Sequence, residues 1–197
     1  MKNKWLLLIL VIGLSGCYPK FKQAVVDPEH NKLDERLFGM WEMDESLRDL
    51  DKDQYGFLLF LPCENRLCIT FYTSANDEES DVVNFQGFAS EINGKGYINY
   101  KEVGTGEKED YYELATYQIT EDRKLRLFLV DTKKLDKAVI EKRIMGEVAD
   151  PQNTSSIASS TIITATREEL MQFLGTTDIF REEKQAFNYK DFGLPRK

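Results

Sequence analysis

The chain has 197 residues, with 26 basic against 34 acidic side chains, a single histidine and three cysteines. That length suits one domain with a sizeable core. A net charge of −8 repels nucleic-acid phosphates, which argues against a nucleic-acid partner. The one histidine, His30, lies near the N-terminus and leaves the rest of the chain without a Ser-His-Asp or Cys-His group or a His-based zinc site.

The N-terminus reads as a targeting segment. Lys2 and Lys4 precede Trp5 to Leu14, a run of ten mostly apolar residues. A spanning helix needs about twenty, so charge followed by a short apolar run indicates a secretory signal. Ser15 and Gly16 are small, and Cys17 follows. Leu14-Ser15-Gly16-Cys17 resembles the lipobox of bacterial lipoproteins. The resemblance implies a diacylglycerol on the sulfur of Cys17, cleavage before it, and a place in the bacterial cell envelope. Tyr18 in place of aspartate after the cysteine leans toward the outer membrane in a Gram-negative source. The expected plan is a signal peptide at 1–16, a lipidated cysteine and tether at 17–32, and one domain at 33–197. Loss of Lys2 and Lys4 leaves 24 basic against 34 acidic residues, a mature net charge of −10. Acyl chains, not charge, are then expected to make the membrane contact.

Within the tether, Tyr18 to Lys32 is polar and holds Pro19, Pro28 and His30, so it reads as a spacer. Leu33 to Phe38 suits one helical turn that plugs the end of a sheet. Gly39 to Glu45 alternates apolar and polar, as a half-buried strand does. Tyr55 to Leu61 is a continuous apolar strand, and Leu67 to Thr73 is its hairpin partner. Cys63 and Cys68 flank Glu64-Asn65-Arg66-Leu67 between these two. In an exported chain they are expected to form a structural disulfide, worth about 2 kcal/mol for so short a loop in the chain-entropy account. Two free buried thiols are the alternative.

Val82 to Ile92 is a strand with Gly87 as a candidate bulge. Asn93-Gly94 marks a hairpin turn, because both residues tolerate positive φ. Tyr97 to Tyr100, Tyr111 to Thr120 and Leu125 to Val130 complete seven strands. The period then changes. Leu135, Ala138, Val139 and Lys142 recur at helical spacing between an N-cap at Asp131 or Thr132 and a stop at Gly146. Thr161 to Thr164 is a short β-branched run. Thr166-Arg167-Glu168-Glu169 is a capping box that opens a helix through Leu170, Phe173 and Leu174 to Gly175. Asp178 to Phe192 is either a last helix or a strand that closes the sheet. Seven strands followed by helices give a mainly β, α+β class: an antiparallel up-and-down sheet curled into a barrel or half-barrel, with two or three C-terminal helices.

Gly39-x-Trp41 at the first strand resembles the opening motif of lipocalins, and Asp110-Tyr111 loosely resembles their second motif. No third motif with its arginine is found, and the strand count before the helix is one short. The order of elements is also similar to a group of uncharacterised bacterial lipoproteins with lipocalin-like domains. The resemblance implies a barrel and brings no activity with it.

Asp49-x-Asp51-x-Asp53 has calcium-loop spacing. The glycine required at the sixth position is Gln54 and the glutamate required at the twelfth is Phe60, so a solvated acidic loop is expected. The run Asp77 to Asp81 reads the same way. No catalytic residue, cofactor or metal site is expected. Two functions stand side by side: a non-catalytic module for a small apolar or amphiphilic ligand, and an accessory subunit that contacts an envelope protein partner. An enzyme using carboxylates alone ranks third.

Overall fold

A computed structural model describes residues 19–27, 29, 32–44, 54–75, 80–104, 111–148, 161–182 and 185–190. Cys17, His30, Asp110, the Asp49-x-Asp51-x-Asp53 pattern and the run Asp77 to Glu79 lie outside them. The strands are β1 (Lys20–Phe21), β2 (Gly39–Met43), β3 (Gln54–Cys63), β4 (Arg66–Ala75), β5 (Asp81–Ile92), β6 (Lys95–Glu102), β7 (Glu113–Ile119), β8 (Lys124–Leu129), β9 (Gly146–Val148), β10 (Thr161–Ile163) and β11 (Gln185–Lys190). Two α-helices are described, α1 (Thr132–Ile140) and α2 (Arg167–Thr176).

Eight of the strands close into an antiparallel barrel, in the order β11-β2-β3-β4-β5-β6-β7-β8. This is the mainly β, lipocalin-like architecture. The segment from Asp178 onward, left open between helix and strand, contributes β11. It fills the gap between β8 and β2, pairing Phe187 with Leu125 on one side and with Met43 on the other. Closure removes both sheet edges, which would otherwise offer unpaired N–H and C=O groups.

Alternation decides which side chains enter the barrel. In β2, Trp41 and Met43 point in. In β3 the continuous apolar run divides: Leu58 and Phe60 point into the core, while Tyr55, Phe57, Leu59 and Leu61 take the outer face. Leu67, Ile69 and Phe71 of β4 complete that wall. Cys63 and Cys68 are joined by a disulfide across the β3–β4 hairpin, with Cα atoms 5.7 Å apart. Asn93 and Gly94 take φ of 53° and 78° between β5 and β6, the geometry the Asn-Gly pair permits.

β6, β7 and β8 carry apolar side chains on both faces, because a second layer covers their outside. Tyr97, Leu114 and Phe128 face α1, α2 and the small sheet β1-β10-β9, while Ile98, Ala115 and Leu127 face the barrel interior. The helices form where expected. Asp131 caps α1 by accepting from the Lys133 and Lys134 amides. Thr166 and Glu169 form both bonds of the capping box on α2. α1 ends at Ile140, short of the stop expected at Gly146. Lys142 adopts φ of 56° and turns the chain, which frees Gly146 to begin β9.

Two further expectations are corrected. The segment read as a tether is docked from Pro19 to Asp27. Phe21, Val25 and Val26 are each 1–2% exposed, β1 pairs in parallel with β10, and the Val26 amide donates to Asn99 Oδ1 at 3.0 Å. Burying Phe21 alone contributes about 1.5–3 kcal/mol, enough to hold a strap that its polar neighbours disguise. Gly87 is not a bulge, since it pairs in register with Leu67 and Tyr100. Its reason is close approach: a Cβ there would stand 2.1 Å from the Asn99 carbonyl oxygen. Gly87→Ala is expected to cost about 1–3 kcal/mol through overpacking. Denaturant midpoints would show this as a lower midpoint, and an unchanged midpoint would refute the close-approach account.

Candidate binding cavity and its plug

One end of the barrel is sealed from within. Glu35–Leu37 form a single 3-10 turn capped by Asp34, as the Leu33 to Phe38 segment leads one to expect. It lowers Leu37, fully buried, onto Trp41. The Trp41 indole N–H donates to the Leu37 carbonyl at 2.7 Å, satisfying the polar handle of a buried tryptophan. Tyr189 packs edge-on against Trp41 at 5.2 Å, and the Arg123 guanidinium lies 5.1 Å from the Tyr189 ring centre. So a cation does approach the Gly39-x-Trp41 corner, from the β7–β8 turn and through a tyrosine.

The turn is held down by one polar cluster. Arg36 grips Asp34 through two side-chain nitrogens, at 2.8 and 2.6 Å, and reaches Glu91 at 2.7 Å. The buried Tyr117 hydroxyl donates to the same Asp34 carboxylate at 2.6 Å. Burial works against the charge on Asp34, yet the hydrogen bonds from Arg36 and Tyr117 outweigh it and hold the carboxyl below its ordinary range. Burial, then the adjacent Asp34, push the Tyr117 hydroxyl well above its ordinary value. Gly96 makes room for this tyrosine: a Cβ there would stand 2.7 Å from the Tyr117 ring.

Beyond the plug lies an apolar cavity of about 60 Å³, lined by Leu58, Phe71, Phe85, Tyr100, Leu127 and Phe187 among others. Gln185 is its one amide side chain. The volume is small. An engineered cavity that takes up benzene measures about 150 Å³, and pockets for drug-sized ligands run from about 300 Å³. The barrel's own aromatic rings occupy the space a ligand would need, with Phe85 and Tyr100 meeting edge-to-face at 5.5 Å.

Among the described residues, a grouping of three aromatic rings lies on the outer face of the barrel. Phe57 and Tyr72 stack at 4.9 Å, and Tyr55 meets both edge-on at 6.1 and 6.3 Å. Val82, 56% exposed, is the register partner of Tyr72 on β5, and Leu61 extends the stripe along β3 at 40% exposure. The helical layer packs against β6, β7 and β8 and leaves this face uncovered by any described element.

Of the residues singled out from sequence, Cys63 and Cys68 sit together on the hairpin at the plugged end. Tyr111 stands at the head of β7. Among the described residues no group of three His, Cys, Asp or Glu is placed to hold a metal, and no helix is long and apolar enough to cross a membrane. Sequence reasoning missed Asp34, Arg36 and Tyr117, whose partnership depends on a register between distant segments. Comparison of the chain with protein-family models, with curated proteins and with solved structures gave no match.

Two outcomes are expected. Tyr117→Phe removes a hydrogen bond to a charged acceptor and is expected to cost about 1.5–3 kcal/mol. The Asp34 carboxyl titrates lower in the folded state than in the unfolded one. Its stabilisation is therefore complete above about pH 4 and is lost as pH falls through the folded value. Tyr117 titrates higher when folded, so its stabilisation is complete below about pH 10 and is lost above it. In Tyr117→Phe, thermal melts across pH should show a shallower alkaline fall, what remains coming from Tyr97, whose hydroxyl is also pushed up by burial; a fall as steep as in the parent would refute the assignment. Separately, Ala115→Val adds two methyl groups at the cavity wall. If the void is empty the variant should gain stability, of the order of 0.5–2 kcal/mol, and a lower melting temperature would show that no usable space exists.

Proposed function

We propose that this is a bacterial lipoprotein, anchored in the cell envelope by acyl chains on Cys17, whose barrel acts without catalysis by contacting an envelope protein partner. In a Gram-negative source its place is the outer membrane, since Tyr18 follows the cysteine. The observation that carries the reading is the aromatic stripe of Tyr55, Phe57 and Tyr72, with Val82 beside it, on an outer face of β3–β5 that no described element covers, together with an interior cavity of only about 60 Å³. Stacked aromatics on a rigid sheet lose little conformational entropy on binding and are common anchors of protein interfaces. The small size of that cavity favours this over the small-ligand module, because pockets for drug-sized ligands are several times larger.

The test combines two measurements on the protein extracted from its own membrane. Native mass spectrometry should show an acylated N-terminus without a stoichiometric extra small mass. Photo-cross-linking from Phe57 or Tyr72 in living cells should give a discrete adduct with one protein, absent when the probe is moved to Asp122 at the plugged end. A stoichiometric apolar ligand with no adduct would return the function to the ligand-binding module.

A further inference from the structure

The chain is acidic overall, yet its positive charge is not evenly spread. Between Thr132 and Val148 five basic residues stand against three acidic ones. One of the three, Asp136, is buried, where it accepts from the Thr161 hydroxyl. Lys133, Lys137 and Ile140 fall on the exposed stripe of α1, opposite the buried Leu135, Ala138 and Val139. Lys142, Arg143 and Met145 follow in the exposed turn before β9. Met145 at 64% and Ile140 at 48% are among the most exposed large apolar side chains described. Glu141 is engaged from both sides, by Lys137 at 3.8 Å and Arg143 at 2.8 Å, and Lys142 beside it is exposed. A basic face studded with apolar tips is the chemistry that lies on an anionic bilayer surface.

The place where the chain enters the fold puts this face beside the membrane. Pro19 is already buried and Lys20 is already in β1, so only Tyr18 separates Cys17 from the fixed domain. Two residues reach at most about 7 Å. β1 lies beside β10, and β10 beside β9. The Lys22 amide donates to the Ile163 carbonyl, and the Thr164 amide donates to that of Met145. Exposed Lys22 and Met145 therefore flank the same point of β10, two strand spacings or about 10 Å apart.

We propose that this face, Lys22 with Lys137, Ile140, Lys142, Arg143 and Met145, docks on the anionic headgroups of the bilayer that holds the anchor. The inference rests on acylation of Cys17 for its geometry. The docked strap then fixes the orientation of the domain: the small-sheet side faces lipid, and the aromatic stripe on β3–β5 faces away.

The experiment uses the mature protein from its membrane. Met145→Cys takes a polarity-sensitive fluorophore, the two other thiols being tied in the Cys63–Cys68 disulfide. The labelled protein is placed in vesicles of phosphatidylcholine alone or with phosphatidylglycerol. The expected result is a blue shift only with phosphatidylglycerol, reversed by high salt, with none from a label at Asp122→Cys. Lys137→Glu combined with Lys142→Asn, chosen because asparagine tolerates the positive φ there, should abolish it. Equal emission in both vesicle types, or an equal shift from position 122, would overturn the proposal. Intact mass reports acylation separately. If no acyl group is present, flotation of that protein with the same vesicles decides the surface alone. Binding that weakens about fivefold for each positive charge removed upholds it, and absence of binding to the anionic vesicles overturns it.

Discussion

The six residues Gln185 to Lys190 hydrogen-bond to β8 on one side and to β2 on the other, and the cylinder exists only while they do. Without them the seven strands β2–β8 form a curled sheet with two long edges, which is a template for association. The last strand arrives after an excursion of more than fifty residues through both helices and the small sheet. Loop-closure entropy grows only slowly with such length, so the excursion is tolerable if it binds something on the way. It does. The excursion builds the outer core that packs on β6, β7 and β8, and Val130 bridges to Phe180 at the point where the chain turns back toward the barrel.

Two cores back to back explain why some strands were legible and others were not. β2 buries one face and solvates the other, and its alternation through Trp41 reads directly. Along β7 the sequence shows one alternating face through Tyr112, Leu114, Thr116 and Gln118. That face exists, but it is the outer one, with Leu114 under the helical layer and Ala115 and Tyr117 inside the barrel. A strand covered on both sides loses the contrast that names its inner face. β11 has a contrast between its faces, Phe187 and Tyr189 inward and Asn188 and Lys190 outward, but over only six residues.

Local chemistry was the most readable level. The Asn93-Gly94 turn, the Thr166–Glu169 capping box, the Asp131 cap and the Cys63–Cys68 hairpin each depend on residues a few positions apart. The plug was half legible. Its turn was expected from Leu33 to Phe38, but the Asp34–Tyr117 bond spans 83 positions and no local pattern announces it. The N-terminal strap was misread for a different reason. Phe21 and the short run Ala24-Val25-Val26 are apolar, but they lie among Lys, Gln, Asp and Pro in a stretch too short to show a helical or strand period. Their burial is decided by the groove they meet, including a lone Asn99 whose amide oxygen receives the Val26 N–H.

That strap gives the molecule its polarity. A spacer would let the barrel turn freely above a membrane, and any face could meet a partner. A docked strap joins the N-terminus to β10 on one side and, through Asp34 and Leu37, to the barrel plug on the other. Arg167 of α2 adds to the grip, donating to the Ala24 carbonyl and pairing with Asp27 at 2.8 Å. The helical layer packs beside the strap on the barrel wall, and α1 with the turn after it carries exposed Lys133, Lys137 and Lys142 in a chain that is acidic overall. The stacked rings of Phe57 and Tyr72 stand on the barrel wall away from that layer. Because β3 and β4 pair over ten consecutive positions, those rings are presented on a stiff surface, so a partner there meets little entropic cost of ordering.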